Sequence, residues 1–408
     1  MYLCSFIEKL NMIKVQNKLT LFFTLVFSTM LLVNNADAQS ANGQVGNVIT
    51  TAVPTIRITP DARSGGMAEL GVATSPDVNA VYHNAGKLVF NDKEVGIGLS
   101  FVPWFRGLGV TDVYLANLSG HYKLDKNQAL GLQVHYMSFG NIDFTDAQGN
   151  ATGQGRPREF SIGLGYSRKL SDNLGAGINL KYINSDLASG QILDGTQISK
   201  GNAVAADIGF YGKNKLGANL ISYGAAISNI GSKVSYNKDK SDKDFLPCNL
   251  GLGANYTYNV DDYNKVSFGL ELNKLLVPTP NYGTDSASIL DNIERRAKSP
   301  ISGIFSSFGD APGGMSEEMK EFTVSAGAEY WYDNQFAVRA GYFNEARTKG
   351  NRKYLTLGLG VKYSVFTFNF AYLVATNGKQ SPLNNTMRFS LLFDFSAFED
   401  QESEKSNF

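Results

Sequence analysis

The sequence has few of the side chains that bind metals or form disulfides. It contains two cysteines, Cys4 and Cys248, and three histidines, His83, His121 and His135. Metal centres and disulfide frameworks need such residues in clusters at short spacing, and these are isolated. The chain also lacks a Walker motif, a G-x-S-x-G motif and a G-x-G-x-x-G turn between a strand and a helix. We therefore expect no metal, no cofactor and no enzymatic activity.

An excess of charge of one sign is missing as well. The 37 lysines and arginines balance 37 aspartates and glutamates, so binding to nucleic acid has no electrostatic support. Long apolar runs are missing after the first residues, which argues against a helical membrane protein. What is abundant is glycine (42), phenylalanine (26) and tyrosine (20). This composition favours a chain of many short strands over a soluble α/β enzyme.

One apolar run stands near the start of the chain, at Leu19–Val33. Two lysines precede it and the small-residue motif Ala36–Ala38 follows it. A basic segment, a short apolar core and an A-x-A motif are the parts of a cleaved export signal. Residues 1–38 are therefore predicted to be a signal peptide, and translation can start at Met1 or at Met12.

From Glu94 onward, the sequence divides into runs of about ten residues with alternating polarity. Ile97, Leu99 and Phe101, for example, alternate with glycine and serine. Such runs predict strands that can span a bilayer when tilted. The predicted strands are 94–103, 111–122, 128–139, 158–170, 174–185, 203–211, 219–230, 248–258, 263–273, 321–331, 335–343, 353–362, 366–375 and 386–394. We expect an all-β membrane protein, a fourteen-stranded antiparallel transmembrane β-barrel formed by residues 94–395.

The connections between these strands alternate in length. Those after even strands are short and those after odd strands are mostly long, apart from the short connection 104–110. Bacterial barrels have short periplasmic turns and long extracellular loops. This pattern predicts an outer-membrane protein in contact with lipid and lipopolysaccharide, with the long loop 274–320 outside. Both termini, including the tail 396–408, are then expected in the periplasm.

The alternation also predicts which side chains face lipid and which face the lumen. Apolar residues should face lipid, while glycine, polar and charged residues should face inward. Glu329 and Arg339 should lie on neighbouring strands in a diagonal relation, close enough to form a lumen charge pair. The predicted lumen charges are Lys181, Asp207, Glu271, Glu329, Arg339, Arg388 and Asp394.

Two segments do not follow the alternation. Residues 39–93 have a length suited to a plug inside the barrel or to periplasmic structure. The loop 274–320 contains a helix-like stretch, 286–298, and an apolar stretch, 301–308. Long loops in compact proteins are often functional, and exposed apolar patches often bind partners. The candidate partner-binding residues are Ile301, Ile304, Phe305, Phe308, Trp104 and Phe105.

Several segments together resemble one known family. Residues 59–90 read TPDARSGGMAELGVATSPDVNAVYHNAGKLVF and resemble the start of the PorV (LptO) family of FadL-like outer-membrane barrels. In this stretch, Asp77, Asn84, Ala85 and Gly86 form the candidate plug motif. The wider FadL-like group has Asn-Pro-Ala where this chain has Asn84-Ala85-Gly86. Further matches are YKLDKNQALGL (122–132), YSRKLSDNLGAG (166–177), GNAVAADIGFY (201–211), ISNIGSKVSY (227–236), FLPCNLGLGANY (245–256) and ELNKLLVPTP (271–280).

The resemblance implies a non-enzymatic component of the type IX protein secretion system of Bacteroidetes. It implies binding to the large translocon barrel and acceptance of cargo proteins by their C-terminal signal domains. It also implies delivery of that cargo to the sortase-bearing attachment complex at the cell surface. The sequence leaves the identity of the cargo and the stoichiometry open.

Two other functions are compatible with a barrel. A FadL-like transporter of hydrophobic small molecules predicts an apolar pocket in the lumen beneath the extracellular loops. The predicted lumen residues are mostly small, polar or charged, which argues against such a pocket. A general porin is disfavoured because residues 39–93 are long enough to obstruct the pore.

Overall fold

The computed structural model describes residues 47–106, 109–145, 148–193, 196–237, 242–376 and 385–395. The predicted signal peptide (1–38) and tail (396–408) lie outside these described residues. Among the helices in the described ranges, none is long and apolar enough to cross a membrane.

Fourteen strands form one closed barrel, and each pairs antiparallel with its neighbours in chain order. The last strand closes the barrel on the first, from Gly96 opposite Asp394 to Phe101 opposite Phe389. The predicted strands are confirmed, and the largest difference is a sixth strand that continues to Leu216. The strands are β1 Val95–Pro103, β2 Val113–Lys123, β3 Gln128–Phe139, β4 Arg158–Ser171, β5 Leu174–Asp186, β6 Gly201–Leu216, β7 Asn219–Gly231, β8 Asn249–Asn259, β9 Asn264–Leu275, β10 Phe322–Tyr332, β11 Phe336–Asn344, β12 Lys353–Tyr363, β13 Phe366–Ala375 and β14 Thr386–Asp394.

The period-2 pattern of the sequence decides the two faces of the wall. In β1, Ile97, Leu99 and Phe101 are 39%, 50% and 41% exposed, while the residues between them are buried. Successive side chains of a strand point to opposite faces. The wall therefore presents an apolar belt outward and small or polar side chains inward, as predicted.

The turn between β10 and β11 corrects one prediction. Asp333 and Asn334 adopt positive φ angles of 51° and 50°, and Tyr332 pairs with Phe336. This register places Glu329 directly opposite Arg339. The predicted diagonal relation is wrong because the three-residue turn lies at 333–335 instead of 332–334, which shifts the register, and direct opposition brings the two side chains closer.

The long connections contain structure that the alternation does not predict. The β3–β4 connection carries a small hairpin of Ile142–Thr145 and Ala151–Gly155, and the β5–β6 connection carries another of Ile192–Leu193 and Thr196–Gln197. Both hairpins are too short to show a strand period in the sequence.

The loop 276–321, between β9 and β10, is folded into short helices. These are Ser286–Ala297, Pro300–Ser306 and Met315–Glu318, followed by a 3₁₀ turn at Met319–Glu321. Asp285 caps the first helix by accepting a hydrogen bond from the Ser288 amide at 2.7 Å, which is a common helix start. The helix-like stretch predicted at 286–298 is confirmed.

The N-terminal segment, which we define as residues 47–93, runs through the lumen. It enters at the long-loop end, where the Asn47 side chain donates to Glu317 at 2.7 Å, and it reaches the short-turn end at β1. It contains helices Ala62–Gly65 and Ala80–His83 and 3₁₀ turns at Pro54–Arg57 and Ala85–Phe90. The predicted periplasmic position of the termini concerns residues beyond the described ranges and stays a prediction.

Candidate functional site

The N-terminal segment is held in the lumen by a buried group of charges. Asp61 starts the helix Ala62–Gly65 by accepting a hydrogen bond from the Ser64 amide at 2.8 Å. This short helix packs against β12, β13 and β14. It directs Arg63 toward the β10 wall, where Arg63 Nη2 and Nε donate to Glu329 at 2.8 and 3.0 Å.

Glu329 is shared between the segment and the wall. Arg339 Nε donates to the same carboxylate at 2.7 Å, and Arg339 Nη1 donates to Asn369 at 2.9 Å. Arg63 is held on its other side by Asp77 at 3.0 Å. The predicted Glu329–Arg339 pair is thus present, and Arg63 makes it a triad. A carboxylate between two guanidinium groups is well compensated in a buried setting.

A second attachment lies around the predicted plug motif. Asn84 Nδ2 donates to the Phe210 carbonyl in β6 at 2.8 Å and to the Val72 carbonyl at 3.0 Å. The Asn84 side-chain oxygen, Oδ1, accepts a hydrogen bond from the Gly86 amide at 3.0 Å. A methyl group on Gly86 would lie 2.9 Å from the Gly209 carbonyl oxygen. Glycine therefore allows backbone-to-wall contact here.

Lys87 is a buried amine inside the segment. Its Nζ donates to the Gly71 carbonyl at 2.6 Å and to the Thr74 hydroxyl at 3.1 Å. Burial lowers the pKa of Lys87 to about 8, since a charged amine is costly away from water. Next to it, Glu271 of β9 accepts from the Gly71 and Val72 amides at 2.9 and 2.8 Å.

A cavity of about 540 Å³ lies between the N-terminal segment and the long-loop half of the wall. Thr50 and Pro54 line it and are exposed, so it opens toward that end. Its walls combine apolar side chains with many charged ones. The charged residues that line it are Arg57, Glu69, His83, Lys181, Glu271, Glu321, Glu345, Lys349, Arg352 and Arg388.

The loop 276–321 is fixed to the barrel rim by a buried ion-pair network. Lys274, at the end of β9, pairs with Glu318 and Glu321 at 2.7 and 2.5 Å. Lys349 pairs with Glu317 and Glu321 at 2.6 and 2.9 Å. The Lys274 side chain has no solvent exposure. The network is therefore a buried attachment of the loop and not a set of surface ion pairs.

Above this anchor, the loop exposes a set of large apolar side chains. Of the predicted partner residues, Ile301, Phe305 and Phe308 are 55%, 76% and 47% exposed, while Ile304 is half-buried. Gly303, on the opposite side of the same helix, packs against Phe245 of the β7–β8 connection. This apolar loop surface has further exposed members that were not predicted from the sequence, namely Ile289, Leu290, Ile293, Met315 and Met319.

The comparisons with known proteins agree with this architecture. The family model for "Type IX secretion system protein PorV" matches residues 39–282, more than half of the chain. The chain belongs to the PorV family. It is accordingly an outer-membrane component of type IX secretion, as the resemblance implied. No match was found among curated protein sequences.

Solved structures with a similar fold are outer-membrane channels. A deltaS2S3 mutant of the TodX monoaromatic hydrocarbon channel has a TM-score of 0.50 and 13% identity, covering 82% of this chain and 99% of that chain. The Ralstonia pickettii toluene transporter TbuX has a TM-score of 0.49 and 13% identity, covering 82% and 98%. A Pseudomonas aeruginosa FadL homologue has a TM-score of 0.44 and 11% identity, covering 86% of this chain and 100% of that chain. At these identities the likeness concerns the fold, which is FadL-like.

In this PorV-family barrel, the predicted Trp104 and Phe105 lie apart from the apolar loop surface. They follow β1 at the long-loop end, with ring centroids 5.5 Å apart. Both pack against a buried cluster of β1 to β3 that includes Val102, Val113 and Leu115, and Ile58 of the N-terminal segment packs against the same cluster. Whether these two residues contact a partner stays a prediction.

The other predicted lumen charges lie on the inner face or at its end. Asp207, Glu271 and Arg388 are buried, Lys181 pairs with Asp207 at 2.7 Å, and Asp394 is half-buried opposite a lumen glycine. Arg63 was missed, although it lies in the DARSGG stretch that carries the resemblance. The sequence signal that could have found it is its position in a segment that was predicted to plug a lumen with predicted carboxylates such as Glu329 and Glu271.

Proposed function

We propose that this chain carries cargo for the type IX secretion system. It binds the translocon barrel, accepts cargo through C-terminal signal domains and delivers it to the sortase-bearing attachment complex. It performs no catalysis. Its long loops face the cell exterior and its short turns face the periplasm. The N-terminal segment acts as a plug that keeps the lumen closed while larger partners bind at the long-loop end.

The observation that carries this proposal is the apolar loop surface on an anchored loop. Each large apolar side chain gains about 1.5 to 3 kcal/mol when it is fully buried. Exposing several of them on one loop is unfavourable in water, and such patches mark partner contacts. The ion pairs of Lys274 and Lys349 hold the loop base, so little ordering entropy opposes binding.

The experiment compares single charges placed on one helix. Phe305→Glu puts a carboxylate on the most exposed aromatic of the loop, while Ser302→Glu adds the same charge at an exposed polar position nearby. We expect Phe305→Glu to abolish co-purification with the translocon from native envelopes and to block surface attachment of cargo. Ser302→Glu should retain both, and both variants should remain heat-modifiable barrels. Normal co-purification and attachment with Phe305→Glu would show that the partner surface is elsewhere.

The alternative of a transporter for hydrophobic molecules expects an apolar lumen pocket. The cavity is not purely apolar, because its walls carry charged side chains such as Arg57, Glu271 and Arg352 among apolar ones, and the N-terminal segment occupies the lumen. Tight binding of long-chain fatty acid by the purified protein, with secretion intact after its loss, would favour the transporter over the cargo carrier.

A further inference from the structure

Three lysines converge on the end of the N-terminal segment, at the short-turn end of the barrel. Lys123, Lys169 and Lys213 occupy lumen-facing positions near the ends of β2, β4 and β6. Lys169 Nζ and Lys213 Nζ lie over the ring of Phe90, 5.5 and 4.9 Å from its centroid. Lys123 Nζ donates to the Asn91 carbonyl at 3.0 Å. We call these three lysines the lysine cluster.

No carboxylate of the described residues lies within 4 Å of the lysine cluster. In the described ranges, the lysines that pair with a carboxylate are Lys181, Lys200, Lys274 and Lys349. The charged groups that act on Lys213 are Lys169, Lys123, Lys215 and, with opposite sign, Asp92. An aromatic ring attracts a cation but does not neutralise its charge. Positive charge is therefore in excess at this mouth of the barrel.

The sequence continues after β14 with an acidic tail. Residues 396–408, which lie outside the described residues, contain one lysine, Lys405, and the acidic residues Glu399, Asp400, Glu402 and Glu404. The tail starts near the lysine cluster, because the Phe395 amide donates to the Val95 carbonyl in β1 at 3.3 Å. The neighbouring strand, β2, ends at Lys123.

The acidic part of the tail is long enough to reach every member of the cluster. The farthest of the three strands, β6, is six strands away from β14 around the closed barrel. With strands about 4.8 Å apart and tilted by about 40°, this separation is about 27 Å straight across the mouth. Glu404 follows Phe395 by nine residues, which span about 30 Å when extended.

We propose that residues 396–408 bind back across the short-turn mouth and place their carboxylates on the lysine cluster. Exposed ion pairs are weak one at a time, but a tethered segment meets its site at a high effective concentration. Asp92, Glu94 and Asp394 lie near the start of the tail and repel its carboxylates, which favours the lysines of β2 to β6 as the site. The apolar loop surface lies at the opposite end of the barrel, so either proposal can fail alone.

The test measures the mobility of the tail in the full-length barrel, purified in a neutral detergent. Ser403→Cys carries a maleimide fluorophore in a Cys248→Ser background, and Cys4 lies in the predicted signal peptide, so the label is confined to the tail. We expect high fluorescence anisotropy of the label at low salt. Raising NaCl to about 1 M, where the screening length is about 3 Å, should release the tail and lower the anisotropy.

Charge reversal shows whether the lysines are the site. The anisotropy should be low at both salt concentrations in the variant Lys169→Glu/Lys213→Glu/Lys215→Glu. An equal change of charge at exposed positions of the long-loop end should leave the behaviour of the parent; the control variant is Lys243→Glu/Lys320→Glu/Arg347→Glu.

A charge swap separates binding from a structural role of the lysines. In the barrel with the reversed cluster, the tail receives Glu399→Lys, Asp400→Lys, Glu402→Lys and Glu404→Lys. High, salt-sensitive anisotropy should then return, because opposite charges face each other again.

Two results would overturn the proposal in barrels that remain heat-modifiable. Low anisotropy of the parent at low salt would mean that the tail does not bind and that the lysine cluster is left for a separate acidic partner. High anisotropy that changes neither with salt nor with the reversed lysines would mean that contacts other than these charges hold the tail.

Discussion

Glu329→Gln is the sharpest test of how the N-terminal segment is held. The substitution keeps the shape of the side chain and removes its charge. Glu329 is 4% exposed and accepts hydrogen bonds from Arg63 and Arg339. Arg339 has no solvent exposure and keeps only Asn369 as a side-chain acceptor among the described residues.

The expected cost follows from the charges that remain. Removing one partner of a buried ion pair costs about 3 to 5 kcal/mol, because the other charge stays buried. Arg63 keeps Asp77, and glutamine keeps one acceptor oxygen, so we expect the lower end, about 3 kcal/mol. Adding Arg339→Met removes the stranded charge. The double variant should therefore be more stable than the sum of the two single effects, by about 1 to 3 kcal/mol.

The assay is urea unfolding in phospholipid vesicles, followed by the fluorescence of the two tryptophans. Glu294→Gln is the matched control, since Glu294 is exposed on a loop helix and should change the unfolding free energy by less than about 0.5 kcal/mol. A Glu329→Gln effect as small as that of the control would refute the triad as an anchor. Strictly additive single and double variants would refute the stranded-charge argument.

Three further predictions use the same unfolding assay or proteolysis. Gly86→Ala should lower stability by about 1 to 3 kcal/mol, because its methyl group would lie 2.9 Å from the wall carbonyl oxygen of Gly209. Gly309→Ala is the control and should not change stability, because its methyl group would have no atom within 4 Å. Lys87 has a folded pKa of about 8 against 10.5 unfolded, so the unfolded chain binds more protons between these values and wild-type stability rises with pH there. Lys87→Met should therefore stabilise the folded barrel most near pH 7, by about 1 to 3 kcal/mol, and this gain should shrink at about pH 9.5. A gain that is the same at both pH values would contradict the lowered pKa of Lys87. Glu321→Gln removes one of the two carboxylates that pair with Lys274 and with Lys349, so it should speed tryptic cleavage of the loop 276–321. An unchanged rate would mean that the network does not anchor this loop.

Much of the wall was readable from the sequence. Contact with lipid on one face and with the lumen on the other imposes a period of two on every strand. Ile97 and Leu99 show this period without reference to any other part of the chain, and loop lengths then order the strands. The helix at Ser286–Ala297 was readable for the same reason, because its period and its cap are local.

The interior was decided by the tertiary structure. Arg63 and Glu329 meet across 266 residues of sequence. Lys274 and Lys349 share a carboxylate because the strands β9 to β12 bring their connections to the same part of the rim. Sequence alone determined a fourteen-stranded barrel with an apolar exterior, since that depends on local alternation. Which charges meet in the lumen depends on the registers of all strands together, and these cannot be read from any single segment of the sequence.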